Sequence, residues 1–262
     1  GVLAPGKMAD IVVIDDLEEM TVEGVFIDGK LIASQRELLI DLPKYTYPEE
    51  VKNSVRIGAI SEKDLEINSD GNSARIRYIE VIPDQNLTGK GEETLKVYNG
   101  VVEPDANLDT IGIACVERYG RTGNIGKAFV RGFGLREGAF AESVGHDTHN
   151  IMVVGTNIRD MTIAVNRVIE IGGGLAVANR GRILSDMRLP VGGLITDELD
   201  GHEVSEKIAE LERIVVEDLG CKIHAPFMHL SFLALSTSPV WKITDKGLID
   251  VNNFEILPPV VE

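Results

Sequence analysis

The segment from Ser143 to Asn150 holds the densest group of potentially reactive side chains in the sequence. Two of the five histidines, His146 and His149, lie there together with Asp147 and Asn150. Histidine can bind a metal or carry a proton near neutral pH, and a nearby carboxylate can fix its tautomer. We therefore treat these four side chains as candidates for a functional site. A hydrogen-bonded turn, in which Asp147 and Asn150 cap backbone amides, is equally compatible with the residue types.

A second group of charged residues follows a predicted strand, at positions 117–121. Its cations, Arg118 and Arg121, could orient a polar substrate or an interface. The alternative is a surface ion-pair cluster, which contributes little to stability.

His146 and His149 are three positions apart, so on a strand they would face opposite ways, and no third ligand is near. This spacing argues against a self-contained metal centre.

Two glycine clusters are similar to nucleotide-binding motifs but do not match them. In residues 120–127, Arg121 stands where a phosphate loop needs its first glycine, and Ala128 stands where it needs Ser or Thr. A tight glycine turn is the better interpretation. The glycines at 172–174 follow a predicted helix and are expected to cap it. The sequence also contains no serine-hydrolase elbow, no HExxH motif and no cytidine-type deaminase signature.

The elements that would position these groups are strands followed by fewer helices, which indicates an α+β fold. Strands are predicted at 11–14, 22–27, 31–32, 74–82, 94–98, 111–117, 127–131, 139–144 and 151–154. Asp28-Gly29 predicts a hairpin turn between the second and third of these. Apolar periodicity predicts helices over 161–169 and 204–219, the second with Asp200 and Glu203 as a capping pair and Gly220 as its stop. Residues 226–234 supply the predicted core side chains Phe227, Met228, Phe232 and Leu233.

Domain organisation follows from the prolines at 43 and 48, which mark a linker over 42–48. Residues 1–45 are interpreted as the end of a small β-sandwich-like domain, and residues 46–262 as a mixed α/β C-terminal domain. The first residue is Gly, and the chain runs almost at once into an apolar strand. We therefore expect the sequence to be part of a longer protein.

Composition limits the possible partners and compartments. With 26 basic and 42 acidic residues, the formal net charge is −16. Such a surface repels phosphate backbones and anionic membranes, so neither nucleic acid nor a membrane is an expected partner. The two cysteines form no metal or redox motif, and no secretory signal is recognisable. A cytoplasmic location is therefore expected.

Several stretches together resemble one known family. Residues 1–13 are similar to the segment that follows the barrel in many amidohydrolases. Residues 117–126, 143–150, 164–174 and 226–234 resemble, in order and spacing, the C-terminal domain of the adenine deaminase family within that superfamily. The resemblance covers nearly the whole chain. Gly145 and Thr148 stand where the family pattern has alanine and serine, and His229 stands where it has threonine.

The resemblance implies hydrolysis of adenine to hypoxanthine and ammonia, as in purine salvage and adenine catabolism. It also implies a divalent ion, manganese or iron, held by barrel residues that have no counterpart in this sequence, and a homodimer. The expected partners are the protein's own N-terminal barrel and adenine. On its own, the chain is predicted to be inactive and to contain no metal ligands.

Three roles for the chain remain open. In the first, it buttresses the barrel and presents the loop from His146 to Asn150 to the active site, with Arg118 and Arg121 as further substrate-facing candidates. In the second, it is a structural or dimerisation module with no residue near the chemistry. In the third, it is a free-standing metal-dependent hydrolase centred on His146 and His149.

Overall fold

The computed structural model describes residues 1–43 and 45–261, and these divide into two compact units, Gly1–Thr46 and Tyr47 onward. The predicted linker 42–48 includes Lys44, which lies outside the described residues. None of the helices in the described ranges combines the length and the apolar character needed to cross a bilayer.

The first unit is a four-stranded antiparallel sheet in which sequence neighbours are paired. Its strands are β1 (Ile11–Asp16), β2 (Thr21–Ile27), β3 (Lys30–Ser34) and β4 (Glu37–Leu38). The predicted hairpin between β2 and β3 is confirmed. Asp28 and Gly29 both have positive φ angles, of 50° and 73°, which is the backbone that a tight two-residue hairpin turn requires.

The second unit is built on a nine-stranded sheet with the order β13-β12-β10-β11-β8-β9-β5-β6-β7. All neighbours in it are antiparallel except β5 and β9. Its strands are β5 (Ser73–Val81), β6 (Thr88–Tyr98), β7 (Val101–Val102), β8 (Thr110–Val116), β9 (Ile125–Arg131), β10 (Ala139–Glu142), β11 (Ile151–Gly155), β12 (Gly174–Asn179) and β13 (Arg182–Arg188). A separate three-stranded sheet contains β14 (Trp241–Thr244), β15 (Gly247–Asp250) and β16 (Glu255–Leu257).

Five α-helices and a short 3-10 helix (Ala106–Leu108) lie in the described part of the second unit. The α-helices are α1 (Glu49–Lys52), α2 (Glu62–Leu65), α3 (Ile158–Glu170), α4 (Gly201–Arg213) and α5 (Pro226–Phe232). The predicted capping pair is confirmed, because Asp200 accepts from the Glu203 N–H and Glu203 accepts from the Asp200 N–H. Helix α4 continues into a wider π-type turn over Ile214–Asp218, which the periodicity did not distinguish from α-helix.

Both faces of the large sheet are covered, so its central strands are buried on both sides. Helix α3 packs on one face through Met161, Val165 and Val168, against the side chains of alternate strand residues. The other face is covered by α4, α5 and the three-stranded sheet, around Phe140 and Trp241. This double coverage explains why β8 is apolar at nearly every position and has no polar-out alternation.

The predicted α+β class is confirmed, since strands dominate and a few helices cover them. Most predicted strands and both predicted helices lie within a few residues of their observed bounds. The prediction for 139–144 was too long, because β10 ends at Glu142. Strands β12 to β16 and helix α5 were not predicted, since their short apolar runs show neither clear period.

Candidate functional site

The loop between β10 and β11 is held in place by hydrogen bonds to three distant parts of the second unit. The Ser143 hydroxyl donates to the Gly193 carbonyl at 2.6 Å and accepts from the Gly174 N–H at 2.8 Å. The Ser231 hydroxyl of α5 donates to the Val144 carbonyl at 3.0 Å. These bonds fix the start of the loop, so the side chains that follow project from a defined backbone.

Further contacts hold the second half of the same loop. The Tyr119 hydroxyl donates to the Thr148 carbonyl at 2.7 Å, and the His149 N–H donates to the Gly145 carbonyl at 2.7 Å. The Asn150 side-chain oxygen accepts from the Arg118 N–H at 3.4 Å. Asp147 is exposed and makes no hydrogen bond within the described residues. Asp147 therefore does not cap the turn, which corrects that part of the alternative interpretation.

His146 lies at the edge of a large apolar cavity. Its ring stacks on Phe232 with 5.3 Å between ring centres and an interplanar angle of 18°. The cavity has a volume of about 550 Å³ and lies between α4, α5 and one face of the sheet. We call it the Glu142 cleft and define it by Glu142, His146, Leu175, Met187, Ile208 and Phe227.

His149 faces a different and smaller cavity. This cavity, of about 300 Å³, is lined by residues that include Arg56, Arg118, Tyr119, Arg121 and His149, and we call it the arginine cavity. The ring centres of His146 and His149 are 6.2 Å apart. The structure thus brings Arg118 and Arg121 together with His149, but it separates them from His146, which lines the Glu142 cleft.

Arg118 is almost completely buried, with 1% of its surface exposed. Its Nη2 donates to the Gly192 carbonyl at 2.7 Å, and its guanidinium lies 5.0 Å from the centre of the Tyr119 ring. Its Nε and Nη1 have no hydrogen-bond partner among the described residues, and the same holds for Nδ1 of His149. Arg121, by contrast, is exposed. The interpretation of this segment as a surface ion-pair cluster is therefore wrong for Arg118.

Glu117 organises the turn that follows β8. Its carboxylate accepts from four backbone N–H groups, those of Tyr119, Arg121, Thr122 and Gly123, at 2.8–3.2 Å. Burial alone would raise the pKa of Glu117, but these four donors outweigh it and hold the pKa below its usual value. The glycine-rich segment is thus a turn, as predicted, and the structure adds that the turn is built around the Glu117 carboxylate.

We expect Glu117→Gln to lower the free energy of unfolding at pH 7 by about 2 kcal/mol, because an amide can satisfy only part of this donor set. The pKa of Glu117 is lowered in the folded state, so its contribution is present above the unfolded-state pKa and is lost as the pH falls through the folded-state value. Urea unfolding at several pH values measures this. The exposed Glu217→Gln is the matched control, with an expected change below about 0.5 kcal/mol.

Glu142 is a potential functional residue that the sequence did not single out. It is the last residue of β10, only 2% of its surface is exposed, and it lines the cleft that bears its name. Neither carboxyl oxygen makes a hydrogen bond to a described residue, and Oε1 is buried without any partner. Burial raises the pKa of Glu142 well above its usual value. The sequence feature that could have identified Glu142 is an acidic residue at the end of an otherwise apolar strand.

One residue of the predicted core differs from expectation. Met228 is 53% exposed, so its assignment to the core is wrong. The reason is that Phe227 and Leu230 occupy the inner face of α5 and Met228 lies on its outer side, at the Glu142 cleft. The neighbouring His229 is buried, and its Nε2 accepts from the Asp84 N–H at 3.0 Å.

The residues present do not fit a metal centre. Within residues 1–43 and 45–261, no three His, Cys, Asp or Glu side chains converge closely enough to hold an ion. His146 and His149 line different cavities, so they do not form a shared ligand pair. We accordingly assign no step through a metal to the side chains described above.

Comparison with known proteins gives a consistent result across the chain. A family model described as the adenine deaminase C-terminal domain matches residues 85–255. A protein named adenine deaminase 1 from Carboxydothermus hydrogenoformans is 65% identical over 260 residues, which are 99% of this chain and 43% of that protein. An adenine deaminase from Kosmotoga olearia is 43% identical over 256 residues, 97% of this chain and 44% of that protein.

A third relative, from Methanococcoides burtonii, is also named adenine deaminase. It is 37% identical over 266 residues, covering 100% of this chain and 44% of the relative. The chain therefore spans less than half the length of the curated relatives that it matches.

Proposed function

Because the chain belongs to the adenine deaminase family, we propose that it is the C-terminal part of an enzyme that hydrolyses adenine to hypoxanthine and ammonia. The premise is family membership over nearly the whole chain. In this proposal the enzyme acts in purine salvage and adenine catabolism in the cytoplasm. The divalent ion, manganese or iron, and its ligands belong to polypeptide outside these residues. This chain supplies shape, hydrogen bonds and positioning.

The role we propose for the chain is to support the barrel and to present the loop from His146 to Asn150 to the active site. The observation that carries this is the anchoring of the loop by Ser143, Ser231 and Tyr119, which leaves Asp147 exposed and His146 at a cavity edge. A loop that positions functional groups requires a backbone fixed in this way.

We expect His146→Ala and His149→Ala, made in the full-length enzyme, each to lower kcat/KM for adenine about 10-fold or more, as loss of a positioned hydrogen-bonding or proton-carrying group does. Steady-state kinetics with adenine measures the effect and separates kcat from KM. His202→Ala is the matched control, since that side chain is 81% exposed on α4, and its kinetics should equal those of the wild type. Wild-type turnover in both loop variants would leave the loop as a structural turn.

A second candidate role is a dimerisation or folding module with no residue near the chemistry. Light scattering of this chain, combined with kinetics of the barrel expressed alone, distinguishes the two roles. An active barrel and a dimer of this chain would favour the second role. An inactive barrel whose activity returns when this chain is added would favour the first.

A further inference from the structure

The second unit contains four buried acids among its described residues, and only one of them lacks partners. Glu117 accepts four backbone N–H groups, and Asp160 accepts from Asn157, Arg180 and Gly181. Asp250 accepts from the Trp241 indole and from Asn252 and Asn253. Glu142 has no donor, no acceptor and no cation within ion-pair distance in the described part of the chain. Buried polar groups are normally paired, so this exception needs a physical reason.

Burial disfavours the ionised form of Glu142 and raises the pKa of its carboxyl, so the environment favours the uncharged acid. An uncharged carboxyl carries an O–H donor beside a C=O acceptor. Glu142 lines a cavity of about 550 Å³, and most of the other lining residues are apolar, such as Leu175, Met187 and Phe227. Apolar walls with a few convergent polar groups, in this range of volume, are typical of small-molecule sites.

The other groups around the cleft restrict the charge of a ligand. Asp200 and Glu212 line it together with Glu142, and His146 is the one basic side chain among the lining residues. Acidic lining disfavours anions. Aromatic side chains are available to contact a planar ligand, since Phe227 lines the cleft and the lining residue His146 is stacked on Phe232.

We propose that the Glu142 cleft binds an uncharged, planar heteroaromatic molecule whose edge carries a hydrogen-bond acceptor next to an N–H donor, with the Glu142 carboxyl pairing with both. The O–H of Glu142 donates to the ring nitrogen or carbonyl oxygen, and its C=O accepts the N–H. The bound ligand thus supplies hydrogen-bond partners to Glu142, the one of the four buried acids that lacks them in the described residues. Purine bases belong to this class of molecule, but the inference concerns binding by this chain and stands whether or not deamination occurs.

Titration calorimetry of the 262-residue chain with adenine and with indole tests the proposal. Adenine has the acceptor–donor edge, and indole is a flat molecule of similar size without it. Glu142→Gln keeps an uncharged donor–acceptor pair, so adenine should bind it within about threefold of the wild type. Glu142→Leu removes the pair, and adenine should bind at least about 10-fold more weakly while indole binds no more weakly.

Three outcomes would overturn the proposal. One is the absence of saturable adenine binding to the wild type. Another is equal adenine affinity of the wild type and the leucine variant. The third is tight binding of benzamidinium that the glutamine variant abolishes, because the carboxyl would then be an ionised partner for cations.

Ile208→Trp, which fills the cleft from α4, provides a second variant if the leucine protein does not fold, and it should abolish binding of both probes.

Discussion

Replacement of Gly126 by alanine is expected to lower the free energy of unfolding by about 3–5 kcal/mol, a loss large enough to threaten folding of the second unit. Gly126 lies in β9, opposite Cys115 of β8, where the turn between β14 and β15 packs directly on the sheet. A methyl group there would lie 2.6 Å from the Gly247 nitrogen and closer still to the Thr244 carbonyl oxygen. Both atoms belong to backbone, so the hairpin would have to move.

Urea unfolding followed by circular dichroism measures this loss. Gly58→Ala is the matched control, because its φ angle is not positive and no atom lies within 4 Å of the added methyl group. That variant should stay within about 0.5 kcal/mol of the wild type. A loss below about 1 kcal/mol for Gly126→Ala would show that the hairpin does not rest on β9 as described.

The contact that constrains Gly126 could not be predicted from the sequence. It joins two segments more than 100 residues apart, and the local pattern around Gly126 indicates only a turn and a strand. Features determined within a few residues were predictable. The turn at Asp28-Gly29 and the capping pair of Asp200 and Glu203 are examples, because each depends on the backbone of its immediate neighbours.

The candidate site shows the same division between local and long-range information. The position of the polar loop after β10 follows from an apolar run that ends in polar residues. The distribution of its side chains between two cavities does not, because it depends on α4, α5 and the segment from Glu50 to Arg56. Whether a buried acid has hydrogen-bond partners also depends on residues that are distant in the sequence. Asp160 takes donors from residues 180 and 181, whereas Glu142 has none in the described ranges.

The separation of His146 from His149 bears on how the loop could act. Two histidines that share a cavity could exchange a proton or hold one ligand, but these two line different cavities. His149 shares its cavity with Arg118 and Arg121, and His146 shares its cleft with Glu142, a buried acid whose pKa is raised. We therefore expect the two alanine variants to respond to different properties of the ligand. The effect of His149→Ala should depend more on the charge of the ligand, and the effect of His146→Ala should depend more on its size.

Glu142→Gln is expected to make the protein more stable than the wild type at pH 8, and the gain should disappear in acid. Burial raises the folded-state pKa of Glu142 above its unfolded value. Below the unfolded-state pKa, of about 4.3, Glu142 is protonated in both the folded and the unfolded protein, so its ionisation does not lower the free energy of unfolding. As the pH rises, the unfolded chain ionises first, so the wild type loses about 1.4 kcal/mol per pH unit until the pH passes the folded-state pKa. Glutamine does not titrate and avoids this loss.

Urea unfolding of both proteins between pH 4 and pH 9 measures the difference in stability. His146, Asp200 and Glu212 also line the cleft, but they are present in both proteins, so their contributions to stability largely cancel in the difference. Glu117→Gln serves as a control of opposite sign, since the lowered pKa of Glu117 makes that substitution destabilising at neutral pH and harmless in acid. Equal stability of wild type and Glu142→Gln at pH 8 would mean that the carboxyl finds a charged partner in solution, and that the cleft would then select cations.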